Sequence, residues 1–302
     1  MGGEWGCRGG TCMENQSVLG QLDLLSLSGY QEPAKPAVVP EPHANPTPDT
    51  DLDPAPTAVV APLHSEHSDS PSTLLIIDTE TTGLDPTEDA CLEVGAILFD
   101  VPSRQVLAQQ SFLLPVKSNA AESINRIPAH ATTLPQPWRP ALVYFQSLLD
   151  AADVLVAHNA AFDSQWFGHG HLPEATKPWL CSMDDMRWPE EKQLRPRPSV
   201  RDLALAYEIP VWAAHRALTD CIYLAEVFRR CEDLEQRLAQ GLEPRHLFKA
   251  IVSYDQRHLA RDAGFRWNDP VAGAWTRRLS DREAASLSFA VESLEQGLPM
   301  AS

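Results

Sequence analysis

Four consecutive aliphatic residues, Leu74–Ile77, run directly into two acids, Asp78 and Glu80, in the stretch TLLIIDTETTGLD. A run this oily has no polar side to offer water, so it reads as a strand buried on both faces. Residues two apart on a strand share a face, so Asp78 and Glu80 project together while Thr79 points away. Two carboxylates held side by side repel unless a cation sits between them. An all-oxygen pair suits a hard ion such as Mg²⁺ or Mn²⁺ better than zinc. Taken alone, the pair also fits two surface acids at a strand end followed by a TTG turn.

The segments that follow set the fold class. CLEVGAILFD (91–100) and QVLAQQSFLLPV (105–116) read as two further strands of a meander. Apolar spacing predicts a helix over 138–152, a short buried strand over 153–159 and a helix beginning at AAFDSQWFG. A strand over 179–185, a helix over 199–209 opened by Ser199 and a long helix over 217–239 complete the pattern. Three strands followed by alternating helix and strand indicate an α/β fold with a mixed sheet flanked by helices. In open α/β sheets the crevice lies beyond the carboxyl ends of the strands, where Asp78 and Glu80 emerge. A further acid, Asp163, follows the predicted strand in HNAAFD, and HRALTD supplies His215 and Asp220 where the long helix begins.

IIDTETTGLDP, HNAAFD and HRALTDC, in this order and at these distances, resemble the three exonuclease motifs of the DnaQ-like family in its DEDDh branch. The resemblance covers about residues 73–235, and LEVGAILFD and DLALAYEIP also match the family's usual strand and helix segments. It implies a ribonuclease H-like fold and removal of nucleotides from 3′ ends with two divalent metals, Mg²⁺ or Mn²⁺. Carried over by motif, Asp78, Glu80 and Asp220 would be direct ligands, with Asp78 bridging, and Asp163 would hold the second metal through water. An imidazole titrates near neutral pH, so His215 would take the proton of the attacking water.

The same resemblance puts the terminal nucleotide on the TTGL turn, held by backbone of Thr81, Thr82 and Gly83 and by Leu84. His158, Asn159 and Phe162 would form the other rim. For Leu84 and Phe162, ordinary core packing is an alternative to base contact. INRIPAHA (124–131) departs from the His-Gly-Ile segment often found in such proteins, which leaves the substrate contacts of that loop open. The basic stretch KQLRPRPSVR (192–201) fits either a phosphate contact or a solvated loop. The expected substrate is a single-stranded or frayed DNA 3′ end, released as nucleoside 5′-monophosphates in replication proofreading or repair, with a DNA polymerase as a partner. RNA trimming, or a noncatalytic clamp or nucleic-acid adaptor, is the alternative.

Charge divides the chain into three regions. Residues 1–72 carry two basic and ten acidic residues and read as a disordered, Pro-rich tail. Residues 73–240, the expected exonuclease domain, have a net charge of −9, and 241–302, a small C-terminal α+β unit, are neutral. The total of −17 argues against broad electrostatic adhesion to nucleic acid but not against a site whose charge a metal inverts. Within the tail, QLDLL (Gln21–Leu25) resembles the peptide by which bacterial proteins dock on the replicative sliding clamp.

In the C-terminal unit a short strand, a helix from about Asp255 and two tryptophan-bearing segments around an NDP turn are expected. Trp267 and Trp275, near Arg266, Arg277 and Arg278, could stack on single-stranded bases or build the unit's core; the usual burial of tryptophan favours the core. The six cysteines show no CxxC pair and read as reduced thiols. No signal peptide or membrane-length apolar segment is visible, and a cytoplasmic protein is expected.

Overall fold

The structure, a computed structural model, describes residues 70–212 and 215–294, all within one compact unit, Leu63–Ser302. The tail and its Gln21–Leu25 peptide lie outside the described residues.

Strands β1 (Thr73–Thr81), β2 (Cys91–Asp100) and β3 (Gln105–Leu113) form the expected antiparallel meander. Two single-turn helices, α1 (Glu122–Asn125) and α2 (Ala129–Thr132), lead into α3 (Trp138–Ala151). Then come β4 (Val154–Ala157), α4 (Ala160–Asp163), β5 (Trp179–Cys181), α5 (Val200–Ala206), α6 (Ala217–Arg230) and α7 (Leu234–Gly241). The sheet order is β3-β2-β1-β4-β5, with β4 parallel to β1 and β5 parallel to β4.

Alternation along β1 divides its aliphatic run between two cores. Leu74 and Ile76 pack with Leu203, Leu224, Phe228 and Leu238, on the side of α5, α6 and α7. Leu75 and Ile77 pack with Phe145, Leu148 and Leu149 of α3. Each such burial is worth about 1.5–3 kcal/mol, so β1 is anchored from both faces. By the same parity Asp78 and Glu80 belong to the α6 side and Thr79 to the other.

Gly95 lets α6 come close. It pairs with Asp78 across β1 and β2, and a Cβ there would lie 2.3 Å from backbone atoms of Ala217 and Leu218. The first turn of α6 thus rests on the sheet backbone, and its next turn packs Cys221 beside the carbonyls of Ile76 and Gly95.

Two expectations are corrected. The single helix over 217–239 is two helices. Arg104 donates to the Cys231 carbonyl at 3.4 Å, and Asp233 opens α7 by accepting from the Arg237 side chain at 2.7 Å. The strand over 179–185 stops at Cys181, because Asp185 returns both its N–H and its carboxylate to Cys181, closing a turn.

The C-terminal residues form a second antiparallel sheet: β6 (His246–Ile251), α8 (Arg257–Asp262), β7 (Arg266–Trp267), β8 (Trp275–Leu279), α9 (Asp281–Ala285) and β9 (Ala290–Ser293). Its order is β7-β8-β6-β9, over a core of Phe248, Ala250, Ala260, Phe265 and Leu279. The sequence did not lead us to expect α9 or β9. Buried Glu283 completes a capping box with Ser280 and also receives Arg187, at 2.8 Å, and Arg245. One carboxylate therefore starts α9 and ties the second sheet to the first. No helix among the described residues is long and apolar enough to cross a membrane.

Replacing Gly95 with Ala should displace α6 from the sheet. The expected loss of stability is about 1–3 kcal/mol by denaturant titration, with a larger loss of any activity that needs Asp220 beside Asp78.

Candidate active site

The two motif acids of β1 meet a third from α6. Carboxylate oxygens of Asp78, Glu80 and Asp220 all lie within 4.8 Å of one another. Among the described residues, no hydrogen-bond donor reaches the carboxylate of Asp78 or Glu80. Asp220 accepts from the His215 N–H at 3.1 Å. Asp163 arrives from the opposite face of β1. It is buried, and its Oδ1 accepts from the N–H of Thr79 at 3.0 Å and from the Thr79 hydroxyl at 2.8 Å. The parity that sends Asp78 to one face thus sends Thr79 to the other, where it anchors the fourth acid.

Crowding shows in the proton affinities. Burial, then the neighbouring charges of Asp163, Asp220, Glu80 and Glu93, pushes Asp78 well above the usual carboxylate range. Glu80 is pushed up to about 8 by burial, then by Glu93, Asp220 and Asp163, with Arg216 opposing. Burial raises Asp163 to about 7, against the Thr79 hydrogen bonds, and burial also raises Asp220.

A further acid, Glu93, was missed by the sequence reading. It lies opposite Glu80 on β2, almost wholly buried, and accepts from Nε and Nη2 of Arg216, at 3.0 and 2.8 Å. It also accepts from the Ala217 N–H at 3.2 Å. The pair binds the start of α6 to the sheet. Its signal was an acid inside the apolar run LEVGAILFD, which only a buried partner can explain.

His215 precedes α6, exposed, with a left-handed backbone (φ 61°). The TTGL turn is closed by its own atoms. Thr81 Oγ1 donates to the Gly83 carbonyl at 2.6 Å, Thr82 Oγ1 accepts from the Ala90 N–H at 2.9 Å, and a Cβ on Gly83 would strike the Asp89 carboxylate. Leu84 is 80% exposed, so ordinary core packing does not account for it. Asn125, of the segment that departs from the family pattern, holds the turn from behind by donating to the Thr81 carbonyl at 3.1 Å.

Of the other rim, Asn159 is exposed, and Phe162 packs edge-on to Trp166 at the border of the α3-side core. His158 is placed differently from the expectation. Its Nδ1 lies 2.9 Å from Ser182 Oγ and its Nε2 2.8 Å from the Pro198 carbonyl, so both ring nitrogens are engaged within the fold. Burial lowers it to about 4, which keeps it neutral. The basic stretch 192–201 is largely committed as well: Arg195 pairs with Asp202 at 2.9 Å, Arg197 pairs with Asp184, and Lys192 lies over the Tyr207 ring.

The Exonuclease family matches residues 75–228, half of the chain. DNA polymerase III subunit epsilon of Treponema pallidum is 32% identical over 161 residues, covering 50% of this chain and 72% of the relative. The chain belongs to the DnaQ-like 3′–5′ exonuclease family. Its fold is accordingly the ribonuclease H-like one. The exonuclease is also 23% identical over 209 residues to DNA polymerase III PolC-type of Thermotoga maritima, covering 60% of this chain and 13% of that one. Among solved structures, exonuclease X in complex with 5′-overhanging duplex DNA is 27% identical, covering 56% of this chain and 98% of that one, with a TM-score of 0.42. Residues 246–294 match a domain of unknown function.

Enzymes of this family depend on divalent metal, and the residues present fit one. Three carboxylates converge, two of them with no hydrogen-bond donor among the described residues, and all their donor atoms are oxygen.

The raised proton affinities have a definite sign. In metal-free protein the native state retains protons that the unfolded chain releases, so stability falls as pH rises through the window from about 4.3 to about 8. Thermal melts in EDTA should show Asp78→Asn more stable than the parent near pH 8, with the difference shrinking toward pH ~5. A divalent cation should stabilise the parent and not the variant.

Proposed function

We propose that this exonuclease removes nucleotides from single-stranded or frayed 3′ ends of DNA, releasing nucleoside 5′-monophosphates in replication proofreading or repair. The observation that carries the reading is the convergence of Asp78, Glu80 and Asp220, with His215 five residues before Asp220. DNA is favoured over RNA by the Treponema relative, a DNA polymerase III subunit.

Asp78, Glu80 and Asp220 would hold two cations, Mg²⁺ or Mn²⁺, with Asp163 holding the second through water. When bound, the metals supply a Lewis acid that favours ionisation of the attacking water and neutralises charge at the phosphate and the departing 3′ oxygen. His215 accepts the water's proton on an imidazole nitrogen, a transfer worth typically 10²–10⁴ in rate. Its exposure lets it then return the proton to solvent. Glu93 and Arg216 act as positioning residues that keep His215 and Asp220 facing β1. The TTGL turn, fixed by Asn125 and Asp89, seats the terminal nucleotide, and exposed Leu84 meets its base. Asn159 and Phe162 border the same crevice.

Oligonucleotides of DNA and RNA labelled at either end test this reading. With Mg²⁺ or Mn²⁺ the 3′ label should be lost first from DNA, and EDTA should stop the reaction. Loss from the 5′ end would refute the polarity, and faster loss from RNA would favour RNA trimming. His215→Ala should lower turnover by about 10²–10⁴ while oligonucleotide binding is kept.

Gln21–Leu25 would dock on a sliding clamp, with the Pro-rich stretch giving the nuclease reach, and a DNA polymerase would be a second partner. Clamp-affinity retention of the full chain should drop about tenfold or more when Gln21 and Leu24 are both changed to Ala.

A further inference from the structure

A cavity lies on the C-terminal sheet, outside the carboxylate site. It has a volume of about 530 Å³ and is lined by Lys249, Ser253, Tyr254, Arg257, Trp267 and Trp275 among others. That is within the size range of small-ligand pockets, roughly 300–1,000 Å³.

Its aromatic residues divide into an anchor and an exposed face. Trp275 packs against the core of Phe248, Ala250 and Phe265. Trp267, 5.7 Å from it between ring centroids and tilted by 52°, is 52% exposed, and Tyr254 is 77% exposed. The core reading therefore holds for Trp275 and fails for Trp267. A tryptophan braced by a fixed partner yet open to water is a preformed stacking surface, because little further ordering is needed to use it.

Cations stand beside this face. The Arg257 guanidinium lies 3.8 Å over the centroid of the Tyr254 ring, and its Nη1 donates to the Tyr254 carbonyl at 2.5 Å. Among the described residues no carboxylate pairs with Arg257 or Lys249, although Glu292 lies across from Lys249 in the sheet. Among the described residues, no acidic side chain lines the cavity. By contrast, the basic stretch 192–201 of the first sheet's domain is largely consumed in internal pairs. In a chain of net charge −17, a held guanidinium and an ammonium beside open aromatic rings make a site for a ligand with both a flat face and a negative charge.

We propose that this cavity is a second nucleic-acid site, which stacks bases of single-stranded DNA or RNA on Trp267 and Tyr254 and takes the adjoining phosphate on Arg257 and Lys249. The choice of nucleic acid over an apolar peptide rests on the proposed function, which makes a nucleic-acid strand the enzyme's substrate. Stacking tolerates any base and phosphate contact ignores sequence, so the site grips without selecting. It holds a long strand by bases remote from the cleaved end. The benefit therefore appears only with substrates long enough to reach both sites.

The test uses the full chain and two substrates: a long dT or rU oligonucleotide, and the p-nitrophenyl ester of thymidine 5′-monophosphate, which is too small to span both sites. Trp267→Ala and Arg257→Ala remove exposed side chains, and thermal melts check that both variants fold. Each should weaken binding of the long oligonucleotide in EDTA, and raise its KM with metal, by about tenfold, with ester hydrolysis unchanged. Trp267→Phe should restore binding. The larger effect, on dT or on rU, identifies the strand held. Unchanged affinity for both oligonucleotides would overturn the proposal and leave the aromatic face to a protein partner. If the parent hydrolyses neither substrate, the exonuclease reading fails, and binding in EDTA still decides the second site.

Discussion

Repulsion at the carboxyl end of β1 is the constraint around which the surrounding elements are arranged. Asp78, Glu80 and Asp220 lie within 4.8 Å of one another, and Asp163 and Glu93 add negative charge close by. In a partly buried setting each like-charge pair at such distances costs of order several kcal/mol. A strand held only from one side could relieve that cost by fraying. β1 cannot, because Leu74 and Ile76 are locked into one core and Leu75 and Ile77 into the other. The aliphatic run and the acids it delivers are thus one device: apolar burial holds in place charges that would otherwise separate.

Much of this was legible in the sequence. LLII announced a strand covered on both faces, period-two alternation put Asp78 and Glu80 together, and the order of three motifs brought in Asp163, His215 and Asp220. β2 began and ended where its apolar run did. What escaped was tertiary. That Glu93 serves as the seat of Arg216 depends on α6 crossing β2, which no local pattern reports. His158 looked like a free rim residue because the sequence does not show that Ser182 and the Pro198 carbonyl converge on it. The break at Cys231 was hidden because RRCEDLEQ has no Gly or Pro. Its causes are a carbonyl captured by Arg104, distant in sequence, and an Asp233–Arg237 pair that restarts the helix.

The C-terminal sheet poses a different physical problem. Its core is small, and the second sheet is steadied by Glu283, which receives Arg187 from the first sheet's domain and Arg245 from the connection between them. A buried carboxylate shared by two arginines and a helix cap is costly to break, since removing Glu283 deprives Arg187 and Arg245 of their common partner in a desolvated setting. The sheet is therefore fixed relative to the nuclease by polar contacts while an aromatic face stays open. The residues that position it are buried and charged, whereas Trp267 and Tyr254 remain exposed.

The start of α6 resolves the electrostatic problem from the protein's side. Helix N-termini carry partial positive charge, and here the Ala217 N–H donates to Glu93 while Asp220 occupies the first turn. Arg216 adds a full positive charge beside Glu80. These contributions lessen the repulsion without cancelling it, since Glu80 remains near 8 despite Arg216. The left-handed backbone of His215 belongs to the same arrangement. That conformation costs about 1–2 kcal/mol in a non-glycine residue and persists only where its surroundings fix it. Asp220 fixes it by accepting the His215 N–H, and Glu93 fixes it by seating the next side chain. The chain turns sharply there, which lets Arg216 descend to the sheet while His215 stays exposed at the edge of the acidic cluster. Carboxyls that hold protons only for want of a cation and an imidazole kept accessible at their edge are complementary: the first can exchange protons for metal, and the second lies open to water.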